Sequence, residues 1–218
     1  ESSQILSCIK KVLSKGHLVL TEELNNFEKN VCKYTGSKYC LGLNSGTDAL
    51  MMSLWALGIG KGDEVITSPT SFVATVGAII HVGATPVFVD IDEDLNIDVN
   101  KIEKKITKKT KAIMVVHLFG QAVEMNKIKI IARKHKLKII EDCAEAHGVH
   151  YKKKHVGNFG DVAAYSFYFN KSITSGEGGM VCTNSKKIYN YVKSYRNLCY
   201  GKKNRFLHTG IGFNYRLS

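Results

Sequence analysis

Lys171 is the residue of this sequence whose setting most favours covalent chemistry. It follows the apolar, aromatic stretch Ser166-Phe167-Tyr168-Phe169-Asn170 and precedes Ser172-Ile173-Thr174-Ser175-Gly176-Glu177-Gly178-Gly179. Partial burial between such a stretch and a Gly-rich turn would lower the pKa of the amine. A deprotonated amine can form a Schiff base with a carbonyl compound. The other lysines mostly read as surface residues, and Gly176 to Gly179 reads as a structural turn.

Two further segments carry chemistry. Glu141-Asp142 ends an apolar run that begins at Leu137. Carboxylates at the C-terminal edge of a parallel strand sit where such sheets bind ligands, although a solvated loop acid is an equal reading of the pair alone. In Leu43-Asn44-Ser45-Gly46-Thr47-Asp48-Ala49-Leu50 a strand passes through Ser-Gly-Thr into a helix. The first turn of a helix offers unpaired N–H groups and a favourable dipole to an anion, and Gly46 lets a ligand approach the backbone. By itself the segment reads better as an ordinary helix start capped by Asn44 or Ser45.

The elements that must position these residues follow from hydrophobic periodicity. Helical patterns run from Gln4 to Lys15, Glu22 to Tyr34, through Ala49 to Leu57, Phe72 to Val82, Asn126 to Lys136 and Lys186 to Asn197. Strand patterns run from Tyr39 to Leu43, Glu64 to Thr67, Thr85 to Val89, Ala112 to Val116, Leu137 to Asp142, Val162 to Tyr168 and Gly179 to Thr183. Val149 to Val156 reads as a hairpin with lysines at its tip. Strands apolar on both sides, alternating with amphipathic helices, predict an α/β fold: a mostly parallel sheet with helices on both faces. Gly58-Ile59-Gly60-Lys61-Gly62 ends a helix instead of following a strand, so it does not make a GxGxxG dinucleotide fingerprint.

Composition narrows the functional classes. With 218 residues, 44% of them hydrophobic, the chain can bury a sizeable core. The formal net charge of +12 raises a nucleic-acid reading. Against it, four of the 31 basic residues are Arg (Arg133, Arg196, Arg205 and Arg216), and no reader motif occurs. Lys101, Lys104, Lys105, Lys108 and Lys109 read as the solvated face of a helical segment. The field would still attract an anionic substrate. The six cysteines show no CxxC spacing, so neither a zinc site nor a redox pair is supported, and free thiols in a reducing cytoplasm are expected. No apolar run is long enough to cross a membrane.

Four segments occur in order: Asn44 to Leu50, Glu141-Asp142-Cys143-Ala144-Glu145-Ala146-His147-Gly148, Ser166 to Gly179, and Gly212-Phe213-Asn214-Tyr215-Arg216. Together they resemble the DegT/StrS-type nucleotide-sugar aminotransferases, enzymes of the aspartate-aminotransferase fold (PLP fold type I) that use pyridoxal 5'-phosphate (PLP). The resemblance covers essentially the whole chain.

The resemblance implies a role for each matching residue. Lys171 would carry PLP as a Schiff base and, once released by the incoming amino donor, act as general acid and base. Asp142 would pair with the pyridine nitrogen and keep it protonated, which makes the ring an electron sink. Phe72, in Pro69-Thr70-Ser71-Phe72-Val73, matches the aromatic residue that stacks on the ring; alone it reads equally as a core Phe. Gly46 and Thr47 would give backbone N–H groups to the phosphate and Ser166 a hydroxyl. Glu145, where many relatives have Gln or His, would lie near the ring hydroxyl. Asn214 would reach the phosphate in a neighbouring subunit, which requires a homodimer with shared sites.

The resemblance implies transfer of an amino group from glutamate to a nucleotide-linked keto sugar in surface-glycan biosynthesis, with no metal, nucleic acid or membrane as partner. Glu145 and the run after Lys171 look most like the perosamine-synthase branch, which aminates C4 of a GDP-linked 4-keto-6-deoxy sugar. Amination at C3, or of a UDP or dTDP sugar, is the alternative; a non-catalytic regulatory or binding member is the alternative of another class. Related dehydratases have His in place of the lysine. The family continues past its Gly-x-Asn-x-Arg motif into a smaller domain, so residues 1–218 are expected to be the large PLP-binding domain, without the C-terminal small domain.

Overall fold

The computed structural model describes residues 1–201, 204 and 206–217; Arg205 and Ser218 lie outside the described residues. Among the described residues nine strands are formed: β1 (Tyr39–Leu43), β2 (Glu64–Thr67), β3 (Thr85–Phe88), β4 (Thr110–Val116), β5 (Lys138–Asp142), β6 (His150–Tyr151), β7 (Lys154–His155), β8 (Val162–Ser166) and β9 (Gly179–Thr183). The described residues also form the α-helices α1 (Ser2–Lys15), α2 (Glu22–Thr35), α3 (Gly46–Ala56), α4 (Val73–His81), α5 (Met125–His135) and α6 (Lys186–Tyr195).

The seven-stranded sheet has the order β1-β9-β8-β5-β4-β2-β3. Strands β8, β5, β4, β2 and β3 pair in parallel, whereas β9 runs antiparallel to both β1 and β8. Side chains alternate across the sheet because successive Cβ atoms of a strand point to opposite faces. Ile66, Ile113, Val115, Ile139, Ala163 and Cys182 join one apolar layer, closed by α5 and partly by α2. Val65, Ala112, Met114, Ile140, Ala164 and Val181 join the other, closed by α3, α4 and α6. Helix α3 is apolar on most sides because it packs against α4, α6, β8 and β9 at once.

The predicted elements form: β1, β2 and β9 have the expected bounds, and the ends of the others move by at most three residues. The hairpin at β6–β7 turns through Lys152 and Lys153, both at positive φ. One expectation fails. Lys101 to Lys109 contain only a single 3-10 turn, Glu103–Lys105, and no α-helix. Ile102 alone is fully buried there, Ile106 packs only partly on the core, and the chain must straighten into β4 at Thr110, which leaves too little apolar face for a longer helix.

Buried polar contacts tie the layers. Arg196 at the end of α6 donates to Glu28 of α2 and, at 2.8 Å, to the carbonyl of Gly42 in β1. The six cysteines are free thiols. Cys40 and Cys182 face each other across β1 and β9 with sulfurs 3.1 Å apart, a proximity that spacing along the chain does not reveal. No described helix is long and apolar enough to cross a membrane.

Candidate functional site

A cavity of about 330 Å³ opens at the C-terminal ends of β4, β5 and β8, and the first turns of α3 and α4 form part of its wall. Gly46, Thr47, Phe72, Asp142, Glu145, Ser166 and Lys171 all line it. Seven residues singled out from distant parts of the sequence thus converge on one space.

The anion end is built by α3. Ser45 caps the helix, its Oγ accepting from the Asp48 N–H at 3.0 Å and donating to the Asp48 carboxylate at 2.7 Å. Ser45 therefore satisfies one of the first-turn donors, while the N–H groups of Gly46 and Thr47 precede any intrahelical acceptor. The two readings of this segment are compatible: it is a capped helix start that also faces the cavity. Gly46 is required by packing, because a Cβ there would stand 2.8 Å from the Ser166 Cβ. The buried Ser166 is thereby pressed against the same helix start.

Asp142 and Glu141 end β5 on opposite faces. Glu141 is fully buried on the face of Ile139 and accepts from Gly157 N–H at 2.7 Å, Phe159 N–H at 2.7 Å and Gly160 N–H at 2.6 Å. It also accepts from His117 Nε2 at 3.2 Å. The Val123 N–H points at His117 Nδ1, which assigns the ring proton to Nε2. Burial pushes the Glu141 pKa up, but the hydrogen bonds from His117 and the backbone outweigh it and hold the carboxyl below its ordinary value. Asp142 lies on the face of Ile140 and lines the cavity with fewer partners: Thr75 Oγ1 donates at 2.8 Å and Ala144 N–H at 3.1 Å. There burial wins, and the Asp142 pKa is raised. His117, Glu141 and Cys143 come close enough to suggest a metal cage. Glu141 is already saturated with donors, both ring nitrogens of His117 are engaged, and burial pushes the Cys143 thiol well up, so the group is a structural knot.

Lys171 sits on the turn after β8 with 16% of its side chain exposed, and its Nζ donates to Glu145 Oε1 at 3.3 Å. The other oxygen of Glu145 accepts from the Phe119 N–H at 3.0 Å. Phe119 adopts a left-handed backbone, φ 52°, unusual for a bulky residue. Phe72 is 69% exposed beside the cavity, which rules out the core-Phe reading. The Gly-rich segment forms the expected turn and also lines the cavity through Glu177 and Gly178.

Asn214 does not line this cavity. It is exposed, bridges Asn197 beyond α6, and lies on a segment that returns to the start of α3, where Tyr215 O accepts from Asn44 N–H. Sequence reasoning missed Ser71, Thr75, Tyr168 and Asn170, which line the cavity, and the structural role of His117. Thr75 left one signal: it is the sole hydroxyl in the otherwise apolar α4 run from Val73 to Ile80.

The pattern of the DegT/DnrJ/EryC1/StrS aminotransferase family matches residues 1–218. GDP-perosamine synthase of Escherichia coli O157:H7 is 42% identical over 221 residues, covering 100% of this chain and 59% of that protein. The dTDP-3-amino-3,6-dideoxy-alpha-D-galactopyranose transaminase of Aneurinibacillus thermoaerophilus is 44% identical, covering 98% of this chain and 59% of that protein. Among solved structures, S. venezuelae DesV in complex with a ketimine intermediate superposes with a TM-score of 0.94 at 38% identity, covering 99% of this chain and 58% of that one. The chain thus spans somewhat under three-fifths of the length of these relatives.

Proposed function

The chain belongs to the DegT/DnrJ/EryC1/StrS aminotransferase family, and we propose that it is the large, cofactor-binding domain of a PLP-dependent enzyme that moves an amino group from glutamate to a nucleotide-linked keto sugar. The observation that carries this reading is the convergence of Lys171, Asp142 and the α3 start on one cavity.

The residues present suit PLP. A dianionic phosphate matches the N–H groups of Gly46 and Thr47 together with the Ser166 hydroxyl. Asp142 is a buried acid with no cationic partner at hydrogen-bond distance among the described residues, and a protonated ring nitrogen would supply one. Phe72 offers an exposed aromatic face. PLP, when bound, supplies an electron sink for the carbon that loses its proton.

The chain's own residues divide the remaining work. Asp142 holds the proton on the ring nitrogen. Lys171 Nζ would hold the cofactor, and as a free amine it would carry a proton away from the donor α-carbon. Glu145, bonded to Lys171 Nζ and to the Phe119 N–H, keeps the amine over the cavity until then. In the second half-reaction Lys171 returns a proton to the sugar carbon. Asn214, exposed and outside the cavity of its own chain, is suited to complete the site of a second copy in a homodimer. A smaller C-terminal domain completes the protein. Six free thiols suit a reducing cytoplasm.

For the substrate we favour a GDP-linked 4-keto-6-deoxy sugar aminated at C4, on the Glu145 pattern and the perosamine-synthase relative. A C3 keto sugar on dTDP is the second reading, because the Aneurinibacillus C3 transaminase has 44% identity. Incubating the full-length protein with PLP, reducing with borohydride and mapping the label by peptide mass tests the core of the proposal. A pyridoxyl group on Lys171, abolished in Lys171→Ala, is expected; label elsewhere, or none, overturns it. Supplying glutamate with each keto sugar then separates the C4 and C3 readings by the position of the new amine.

A further inference from the structure

Among the described residues, the two oxygens of Asp142 each receive one donor. Oδ1 accepts from the Ala144 N–H at 3.1 Å, a bond local to the end of β5. Oδ2 accepts from the Thr75 hydroxyl at 2.8 Å, a bond that crosses from α4. A threonine in a helix usually turns its hydroxyl back on a carbonyl of its own preceding turn. Thr75 instead sends its proton out of the helix to the acid. Its oxygen lies 2.7 Å from Ser71 Oγ, and since the Thr75 proton is committed to the carboxylate, Ser71 is the donor. Thr75 is 1% exposed, while Ser71 is only partly buried. The relay Ser71–Thr75–Asp142 therefore runs inward from the cavity wall.

We propose that Thr75 is the positioning residue of Asp142: its hydroxyl, oriented by Ser71, fixes the plane of the carboxylate and leaves the remaining lone pairs turned to the cavity. The catalytic consequence rests on the cofactor reading above, in which those lone pairs meet the ring nitrogen; the positioning itself does not. His117 just after β4, Lys171 after β8 and Cys143 next in the chain act on Asp142 only electrostatically, and none of them donates to its carboxylate. Burial raises the pKa of this acid most, and the Thr75 bond is the strongest influence opposing it.

The test compares wild type with Thr75→Val, Thr75→Ser and Ser71→Ala by following the Asp142 carboxyl carbon by NMR against pH in the cofactor-free protein. Thr75→Val is expected to raise the titration midpoint, Thr75→Ser to restore it, and Ser71→Ala to raise it less. In the PLP-loaded protein Thr75→Val should slow amino transfer about ten- to hundredfold, the cost of one hydrogen bond to a charged group, with recovery in Thr75→Ser. An unchanged midpoint in a folded Thr75→Val protein overturns the proposal. Should that variant fail to fold, Ser71→Ala decides: an upward shift supports the relay and an unchanged midpoint overturns it. A wild-type protein that shows the Thr75-dependent titration but captures no PLP would sink the cofactor reading and leave the positioning role standing.

Discussion

On one face of β5, Glu141 is enclosed by three backbone N–H groups and a histidine, and its carboxyl is held below its ordinary pKa. On the other face, one residue on, Asp142 has a single hydroxyl and a single N–H, lines a cavity, and has its pKa raised. Both acids are buried at the same strand end. The difference is whether the protein completes the hydrogen-bond set. A completed set makes Glu141 a brace for the loop from Gly157 to Gly160. An incomplete set leaves Asp142 with capacity for a further, cationic partner on the cavity side.

Substitutions that keep each acid's shape should separate the two roles. Asp142→Asn is expected to lower amino-transfer turnover by about two to three orders of magnitude, on the scale of losing a key electrostatic contact at the reacting group. It should leave thermal stability at neutral pH unchanged or higher. Steady-state kinetics beside calorimetry checks both halves. Glu141→Gln should do the reverse. Its amide nitrogen would face donors that need an acceptor, at a cost of about 3 kcal/mol in unfolding free energy. The fraction still folded should retain most of its activity per molecule; loss of activity without loss of stability would erase the distinction.

A smaller effect concerns acid stability. Glu141 has a folded pKa below its unfolded one, so it contributes stability above the unfolded value that is lost as pH falls through the folded one. Asp142, with a raised folded pKa, acts oppositely: its contribution is complete below its unfolded value and is lost as pH rises through the folded one. Denaturant melts from the acid range to neutrality should therefore show a weaker acid-side loss of stability in Glu141→Gln and a steeper acid-to-neutral gain in Asp142→Asn. Equal slopes in the two variants would contradict the contrast.

The sequence carried the alternation of elements well, because strands covered on both faces leave an unbroken apolar signature, as in Ala112 to Val116. It carried the convergence of Gly46, Asp142 and Lys171 only through a set of motifs, since no spacing says that residues so far apart share one cavity. It did not distinguish Glu141 from Asp142 in environment. Periodicity places them on opposite faces but cannot show that the Gly157–Gly160 loop folds over one of them. Thr75 was hidden because a hydroxyl in an apolar helix ordinarily bonds within its own turn. The lysines from 101 to 109 misled for another reason: charge periodicity looks helical where Ile102 alone is fully buried and Ile106 only partly so. Asn214 marks a different boundary, because its expected partner belongs to a second copy.

The most direct test of the central claim is the protonation of the ring nitrogen, read by NMR from PLP labelled with nitrogen-15 and bound to wild type and to Asp142→Asn. A protonated nitrogen in the wild type and a deprotonated one in the variant is the predicted result. The same nitrogen signal in both proteins would contradict the role given to Asp142 and, with it, the reading of the cavity as an amino-transfer site.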